Sequence, residues 1–196
     1  MYMFDLETLG TRSDSVILSL AVVYFDPDGK PSPDDLRKDC FFIKFDVEDQ
    51  IRRFRRRVEP DTVKWWKNQC ENVKRKSVYP TPIDARFEDG YNELKQWVRK
   101  YNDTKSWVWA RGNLDQILFH DIENQVGEES IFPHYRWRDV RTAVDFLYGT
   151  DNGYVKVDYP GFNKDLHITK HNPVDDCILD VMMLLYGSKD GLEVNV

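Results

Sequence analysis

The sequence predicts an α/β fold: a mixed five-stranded sheet, three strands antiparallel and two parallel, flanked by helices. Three observations carry that expectation. Residues 2–45 hold three apolar, β-branched runs separated by turn residues, as in a meander of strands. Downstream, short apolar runs alternate with segments whose apolar residues recur at helical spacing. The chain has 196 residues, 41% hydrophobic and 14% aromatic, which suits one domain spanning 1–196 with a full core.

Residues 2–8 (YMFDLET) read as a strand that ends before Gly10 and carries Asp5 and Glu7. Residues 15–25 (SVILSLAVVYF) read as a central strand, followed by the turn Asp26-Pro-Asp-Gly-Lys,. Residues 40–45 (CFFIKF) form the third strand of the meander. Pro60 or Asp61 starts a helix through about Cys70, since proline fits a first helical position. Over 84–101, Phe87, Tyr91, Leu94 and Val98 mark a second helix, against which Gly90 weighs slightly,. Residues 106–110 (SWVWA) are a short buried strand, and 114–124 a helix with Ile117 and Leu118 inward. A strand over 135–140 leads to a helix from about Arg141 to Tyr148. Residues 150–170, rich in Gly, Asp, Asn and Lys, read as a long loop, and 173–186 as the last helix. No repeats, low-complexity tracts or linkers interrupt the pattern.

A net charge of −6 and a pI near 5.3 argue against a protein that coats nucleic acid with a broad basic surface. Positive charge is instead local. Arg52, Arg53, Arg55, Arg56 and Arg57 crowd together, and Lys74, Arg75 and Lys76 follow. Beside a phosphodiesterase site these runs read as a backbone-binding patch; alone they would read equally as a solvated face. Cys40, Cys70 and Cys177 have no CxxC spacing, so free thiols in a reducing cytoplasm are expected and a zinc site is not. Nothing near the N-terminus reads as a signal peptide, and no apolar run reaches the roughly 18 residues of a membrane span.

The chemistry rests on five residues scattered along the chain. Asp5 and Glu7 lie two apart, so on a strand they share a face. Two adjacent anions repel, and a divalent cation gives a reason to keep them close; a surface D-x-E is the plainer alternative. Asp115 follows Arg111-Gly112-Asn113 at a helix start, where it faces the ligand side of the sheet or serves the helix dipole. Asp121 lies further into that helix and reads as surface. Pro173 places His171 in the loop before the last helix and Asp176 in its first turn. A neutral imidazole there can take a proton from water, although a capping role for His171 and a stabilising role for Asp175 stay open. Asp180, one turn on, reads as a supporting or surface acid. Four carboxylates and one histidine are what a two-cation phosphodiester-cleaving site needs, and the element order lets them meet at one edge of the sheet.

The order D-x-E, N-x-D and H-x-x-x-x-D resembles the DEDDh group of 3′–5′ exonucleases in the ribonuclease-H-like superfamily. TVKWW, VWARGNLDQIL, WRDVRTA and HNPVDDC extend the resemblance over most of the chain, to the branch of phage exonuclease A and mycobacterial-type exoribonucleases. The resemblance implies a ribonuclease-H-like sheet and two Mg²⁺ or Mn²⁺ ions. Asp5 would bridge the ions. Glu7 and Asp176 would hold the ion that binds the attacking water, Asp115 the ion at the leaving oxygen, and His171 would be the general base. Pro173 departs from the small helix former more usual in relatives, without removing a functional group.

On the substrate side, Leu6 and Thr8 flank the first motif and are expected beside the terminal nucleotide. Trp65 and Trp66 diverge on a helix, one toward the core and one free to stack on a base, with both in the core as the equal alternative. Arg111 and Arg141 are candidate phosphate or base contacts, with an Asp139–Arg141 structural pair as the alternative. Asn113 would orient Asp115 or touch substrate. The expected partner is a single-stranded DNA or RNA 3′ end in the cytoplasm of a bacterium or phage-infected cell, with no membrane. A homodimer stays open. Rival functions are an oligoribonuclease-like scavenger of short oligonucleotides, a small-molecule phosphodiesterase, a proofreading subunit and a non-catalytic nucleic-acid-binding module.

Overall fold

Strand β1 (Tyr2–Thr8) is the middle strand of the fold. The computed structural model describes residues 1–101, 105–164 and 168–188. Among them, β2 (Ile17–Tyr24), β3 (Cys40–Lys44), β4 (Val108–Ala110) and β5 (Trp137–Asp139) complete a five-stranded sheet in the order β3-β2-β1-β4-β5. The pairs β1–β2 and β2–β3 are antiparallel, and β1–β4 and β4–β5 are parallel. This is the mixed ribonuclease-H-like sheet expected from the sequence. The β1–β2 register shifts between Glu7 and Thr8, and such an irregularity re-aims side chains at a strand end.

Helices α1 (Pro33–Lys38) and α2 (Val47–Phe54) flank β3 and were not expected from the sequence. Each starts on an aspartate or serine cap: Ser32 accepts from the Asp35 amide and Asp46 from the Asp49 amide,. Their short charged sequences, PDDLRK and VEDQIRRF, carry little apolar periodicity. The expected helix from Pro60 stops at Lys67 as α3, and α4 (Glu71–Val73) runs into a π-helical turn, Lys74–Val78. Then come α5 (Phe87–Arg99), α6 (Leu114–Val126), α7 (Val140–Tyr148) and α8 (Pro173–Tyr186). Within the expected 150–170 loop, β6 (Lys156–Val157) pairs with β7 (Gly187–Ser188). Residues 165–167 of that loop lie outside the described residues.

Strand alternation sorts the core into two layers. Tyr2, Phe4 and Leu6 pack with Tyr91 and Leu94 of α5 and Leu118 and Phe119 of α6. Met3, Ala21 and Val23 pack on the other face with Val140 and Val144 of α7 and Ile178, Val181 and Met182 of α8. Asp5 and Glu7 continue the Met3 series, so β1 sends them toward α8. Gly90 in α5 is required by a close approach: a Cβ there would lie 2.6 Å from the Phe45 ring. Leu118 is fully buried, whereas Ile117 is 44% exposed; the expectation that both point inward is corrected, because the buried stripe of α6 runs Leu118, Phe119, Ile122.

The arginine run is corrected at Arg56. Arg56 is buried and binds Asp121 at 2.8 Å and the Ser15 carbonyl at 2.8 Å. Arg53 pairs with Glu88, Arg52 with Glu48 and Arg57 with Asp14. These guanidiniums tie α2 and its exit to neighbouring acids, and Arg56 is withdrawn from any phosphate-binding face. All three cysteines are free thiols, and among the described residues no helix is long and apolar enough to cross a membrane.

Candidate active site

The five residues meet at the C-terminal end of the central strands, not at a lateral edge of the sheet. Asp5 and Glu7 come from the end of β1. Asp115 comes from the first turn of α6, which the chain reaches from β4 through Gly112 at φ +82°. That turn is clamped by Asp139, whose Oδ1 accepts from the Gly112 amide at 2.8 Å while its carboxylate caps α7. Burial opposes the Asp139 charge, but bonds from Thr142, Gly112 and Arg141 outweigh it and hold the carboxyl below its ordinary range,. Asp139 is thus a cap and a clamp rather than the side-chain partner of Arg141.

His171 precedes α8 in the left-handed region, at φ +64°. Three contacts hold it there. Its amide donates to Oδ2 of Asp176 at 2.8 Å, and its carbonyl accepts from the buried Ser77 hydroxyl at 3.0 Å. Its ring meets Trp65 edge-on at 4.7 Å. Asp175 serves the loop differently: Oδ2 accepts from the Thr169 amide and Asn172 side chain, and Oδ1 pairs with Arg37 at 2.5 Å. The two adjacent acids therefore divide the work, Asp175 anchoring the loop to α1 and Asp176 facing the cleft.

The cleft has a volume of about 310 Å³ and is lined by Asp5, Glu7, His171, Asp176, Arg141 and Lys170 among others. Donor atoms of Glu7, His171 and Asp176 lie within 4.8 Å of one another. Asp115 is close enough to act on the charge of both Asp5 and Glu7. Burial, reinforced by the other carboxylates, pushes Asp5 and Glu7 well above the usual acid range. Burial likewise raises Asp115 to about 8 and Asp176 to about 7, with Asp180 adding repulsion to both. Clustered anions that resist ionising are the donor set a divalent cation neutralises, so these residues fit bound cations. His171 moves the other way: burial, then Lys170, lowers its proton affinity, which favours the neutral imidazole.

Arg111 does not extend freely into the cleft. Its Nε and Nη2 grip Asp180 at 3.1 and 2.6 Å, its Nη1 donates to the Gly153 carbonyl at 2.9 Å, and its guanidinium packs 4.2 Å from the Tyr154 ring centroid. The candidate substrate contact Arg111 therefore lines the cleft as the partner of a buried acid. Asp180, at 6% exposure, is no surface residue. Arg141 is exposed and lines the cleft. Asn113 is exposed at the start of α6, outside the residues lining the cleft. Trp66 is buried and donates to the Thr8 carbonyl at 2.8 Å, whereas Trp65 is 41% exposed. Both line a depression with Thr8 beside Glu7. Leu6 borders the cleft while packing with the aromatic core layer.

Sequence reasoning missed Tyr154, Lys164 and Lys170 on the cleft, and Ser77 behind His171. Asp180 was within reach of it, since position i+4 from Asp176 shares a helix face. The others sit in irregular segments where no period exists to read.

A ribonuclease-H-like sheet with buried acids gathered beside its central strands suits a nuclease. Residues 1–186 match the 3′–5′ exoribonuclease Rv2179c-like domain. The chain belongs to that family, a 3′–5′ exonuclease of the phage and mycobacterial type. It is also similar to the exodeoxyribonuclease of Enterobacteria phage T4, at 26% identity over 216 residues covering 95% of this chain and 88% of that protein.

Proposed function

We propose that this protein is a DEDDh-type exonuclease, a single domain over 1–196, that releases nucleoside 5′-monophosphates from the 3′ end of single-stranded nucleic acid. The observation that carries this reading is the convergence of Asp5, Glu7, His171 and Asp176 on one cleft, with donor atoms of three of them within 4.8 Å and Asp115 close enough to act on the charge of Asp5 and Glu7. Asp5, Glu7, Asp115 and Asp176 would hold two Mg²⁺ or Mn²⁺ ions, which when bound stabilise the charge on the phosphoryl group and on the entering and departing oxygens.

The chain's own residues supply the rest. His171, neutral at pH 7, takes a proton from the attacking water as general base. The water oxygen bonds to phosphorus, the bond to the penultimate 3′ oxygen breaks, and that oxygen takes up a proton from solvent. Asp176 holds the His171 amide, so the base and an ion-binding acid move as a unit. Thr8, Trp65 and the backbone at Leu6 would receive the terminal nucleoside, and Arg141 the phosphate. Arg111 pairs with Asp180 beside the acids and offsets part of the burial that pushes its carboxyl up.

The family description names RNA and the phage relative's name specifies DNA, so both sugars belong in the test. Strands of equal sequence, 5′-labelled, would be incubated with Mg²⁺, Mn²⁺ or EDTA, beside Asp5→Ala as control. The expected result is a ladder shortening from the 3′ end, lost with EDTA and in the variant. No cleavage of either strand with either ion would overturn the reading in favour of a binding module or a smaller substrate. Length dependence separates a general exonuclease from a scavenger of short oligonucleotides.

A further inference from the structure

Three depressions adjoin at the active-site end of the sheet. One of about 490 Å³, with Thr8, Trp65 and Trp66, shares Glu7 with the catalytic cleft. The cleft in turn shares Tyr154, Lys164 and Leu179 with a third depression of about 540 Å³. We propose that this third depression is the subsite for the penultimate nucleotide, its base held between Tyr154 and an apolar floor and its phosphate by Lys164 and Lys156. The inference rests on the exonuclease reading above and adds the direction in which the strand lies.

In-line displacement fixes that direction. Water enters on one side of phosphorus and the 3′ oxygen departs on the other. The His171 ring stands against Trp65 at 4.7 Å and Trp66 at 6.3 Å, on the Thr8 side of the cleft. Tyr154, which Arg111 packs against at 4.2 Å from its ring centroid, borders the third depression and not the one that holds the tryptophans. Water activated by His171 attacks from the tryptophan side, so the departing oxygen, and the nucleotide that carries it, leave toward Tyr154.

The chemistry of the third depression suits that occupant. Leu179 and Met183 of α8 form its floor, Tyr154 is 45% exposed, and Lys156 and Lys164 are exposed on its rim. A nucleotide offers a flat apolar base and an anionic phosphate, which aromatic and cationic side chains recognise together without reading sequence. Lys164 Nζ lies 5.5 Å from the Tyr154 ring centroid, so the base and phosphate contacts stand one nucleotide apart at most.

The test uses 5′-labelled decamers of single-stranded DNA and RNA, intact or with one abasic residue at the penultimate or the fourth position from the 3′ end. The measured quantity is kcat/KM for release of the terminal nucleotide. For the wild type, an abasic penultimate residue should lower it about tenfold or more, the usual scale of a base–aromatic contact, and an abasic fourth residue should leave it unchanged. In Tyr154→Leu the ratio between intact and penultimate-abasic strands should shrink to under about threefold; being a ratio within one enzyme, it cancels any general loss caused by releasing Arg111. Equal cleavage of intact and penultimate-abasic strands by the wild type would overturn the subsite while leaving the exonuclease intact. Failure to release a terminal nucleotide from the intact decamer would overturn the exonuclease reading itself.

Discussion

The backbone amide of His171 donates to Oδ2 of Asp176 at 2.8 Å. One carboxylate oxygen is thereby committed to the loop that carries the imidazole, and the other is left for the cleft. Asp176→Ala should remove an ion-binding acid and slacken the loop together, and turnover should fall below detection. Asp5→Ala, Glu7→Ala and Asp115→Ala should do the same. Folding should survive, because each change relieves repulsion among buried acids; circular dichroism and melting curves check it. A folded Asp176→Ala enzyme with near wild-type turnover would break the assignment.

His171→Ala should lower kcat by about 10²–10⁴-fold, the usual worth of a general base. Since the donor atoms of His171 also lie within 4.8 Å of those of Glu7 and Asp176, a ligand role predicts something further. Calorimetric titration with Mn²⁺ separates the two. Affinity close to wild type with lost turnover supports the base; affinity lost in parallel with turnover makes His171 a ligand.

Stability should depend on pH in a direction set by the acids. Burial raises Asp115 to about 8 and Asp176 to about 7, and lifts Asp5 and Glu7 as well. In the unfolded chain such groups titrate near about 4. The chelated folded protein therefore binds more protons than the unfolded chain between these values. The acids' contribution is fully present below about pH 4 and is lost as pH rises through about 7 to 8. Melting temperatures in EDTA should fall across that window, and Mg²⁺ or Mn²⁺ should raise the melting temperature more at pH 8 than at pH 5, because ions bind the ionised acids of the folded state. A cation effect independent of pH would contradict this.

Arg111 and Arg141 should separate cleanly. Arg111→Gln strands Asp180, whose side chain is 9% exposed, and breaking such a buried pair costs on the order of 3–5 kcal/mol. Urea melts should register it. Arg141 is exposed, so Arg141→Gln should shift stability by no more than about 0.5 kcal/mol while raising KM for oligonucleotides. The reverse pattern would exchange the roles given to the two arginines.

Much of the fold was legible because its strongest signals are local. The apolar runs of β1 and β2 and the spacing of Phe87, Tyr91 and Leu94 mark elements that bury those residues. Helices α1 and α2 were hidden because Leu36 and Gln50 are their sole buried residues, too few to set a period. At the site, Asp5 and Glu7 were readable as a same-face pair because strand geometry fixes the relation two residues apart. The Arg111–Asp180 pair was not legible because the two residues lie 69 apart in sequence. Arg56 was hidden for the same reason: it is consumed by Asp121 and by loop carbonyls that only the folded chain brings near.

The sequence by itself determined the five strands of the main sheet, the longer helices, the order of the acidic motifs and the face of β1 that carries the first pair. Those follow from periodicity and short-range geometry. Tertiary structure alone decided that β1 lies in the middle of the sheet, that Asp176 rather than Asp175 faces the cleft, and that Tyr154 and Lys164 border it. Those outcomes depend on packing across long sequence separations: Arg37 of α1 claims Asp175 at 2.5 Å, and the acid beside it is left to the site.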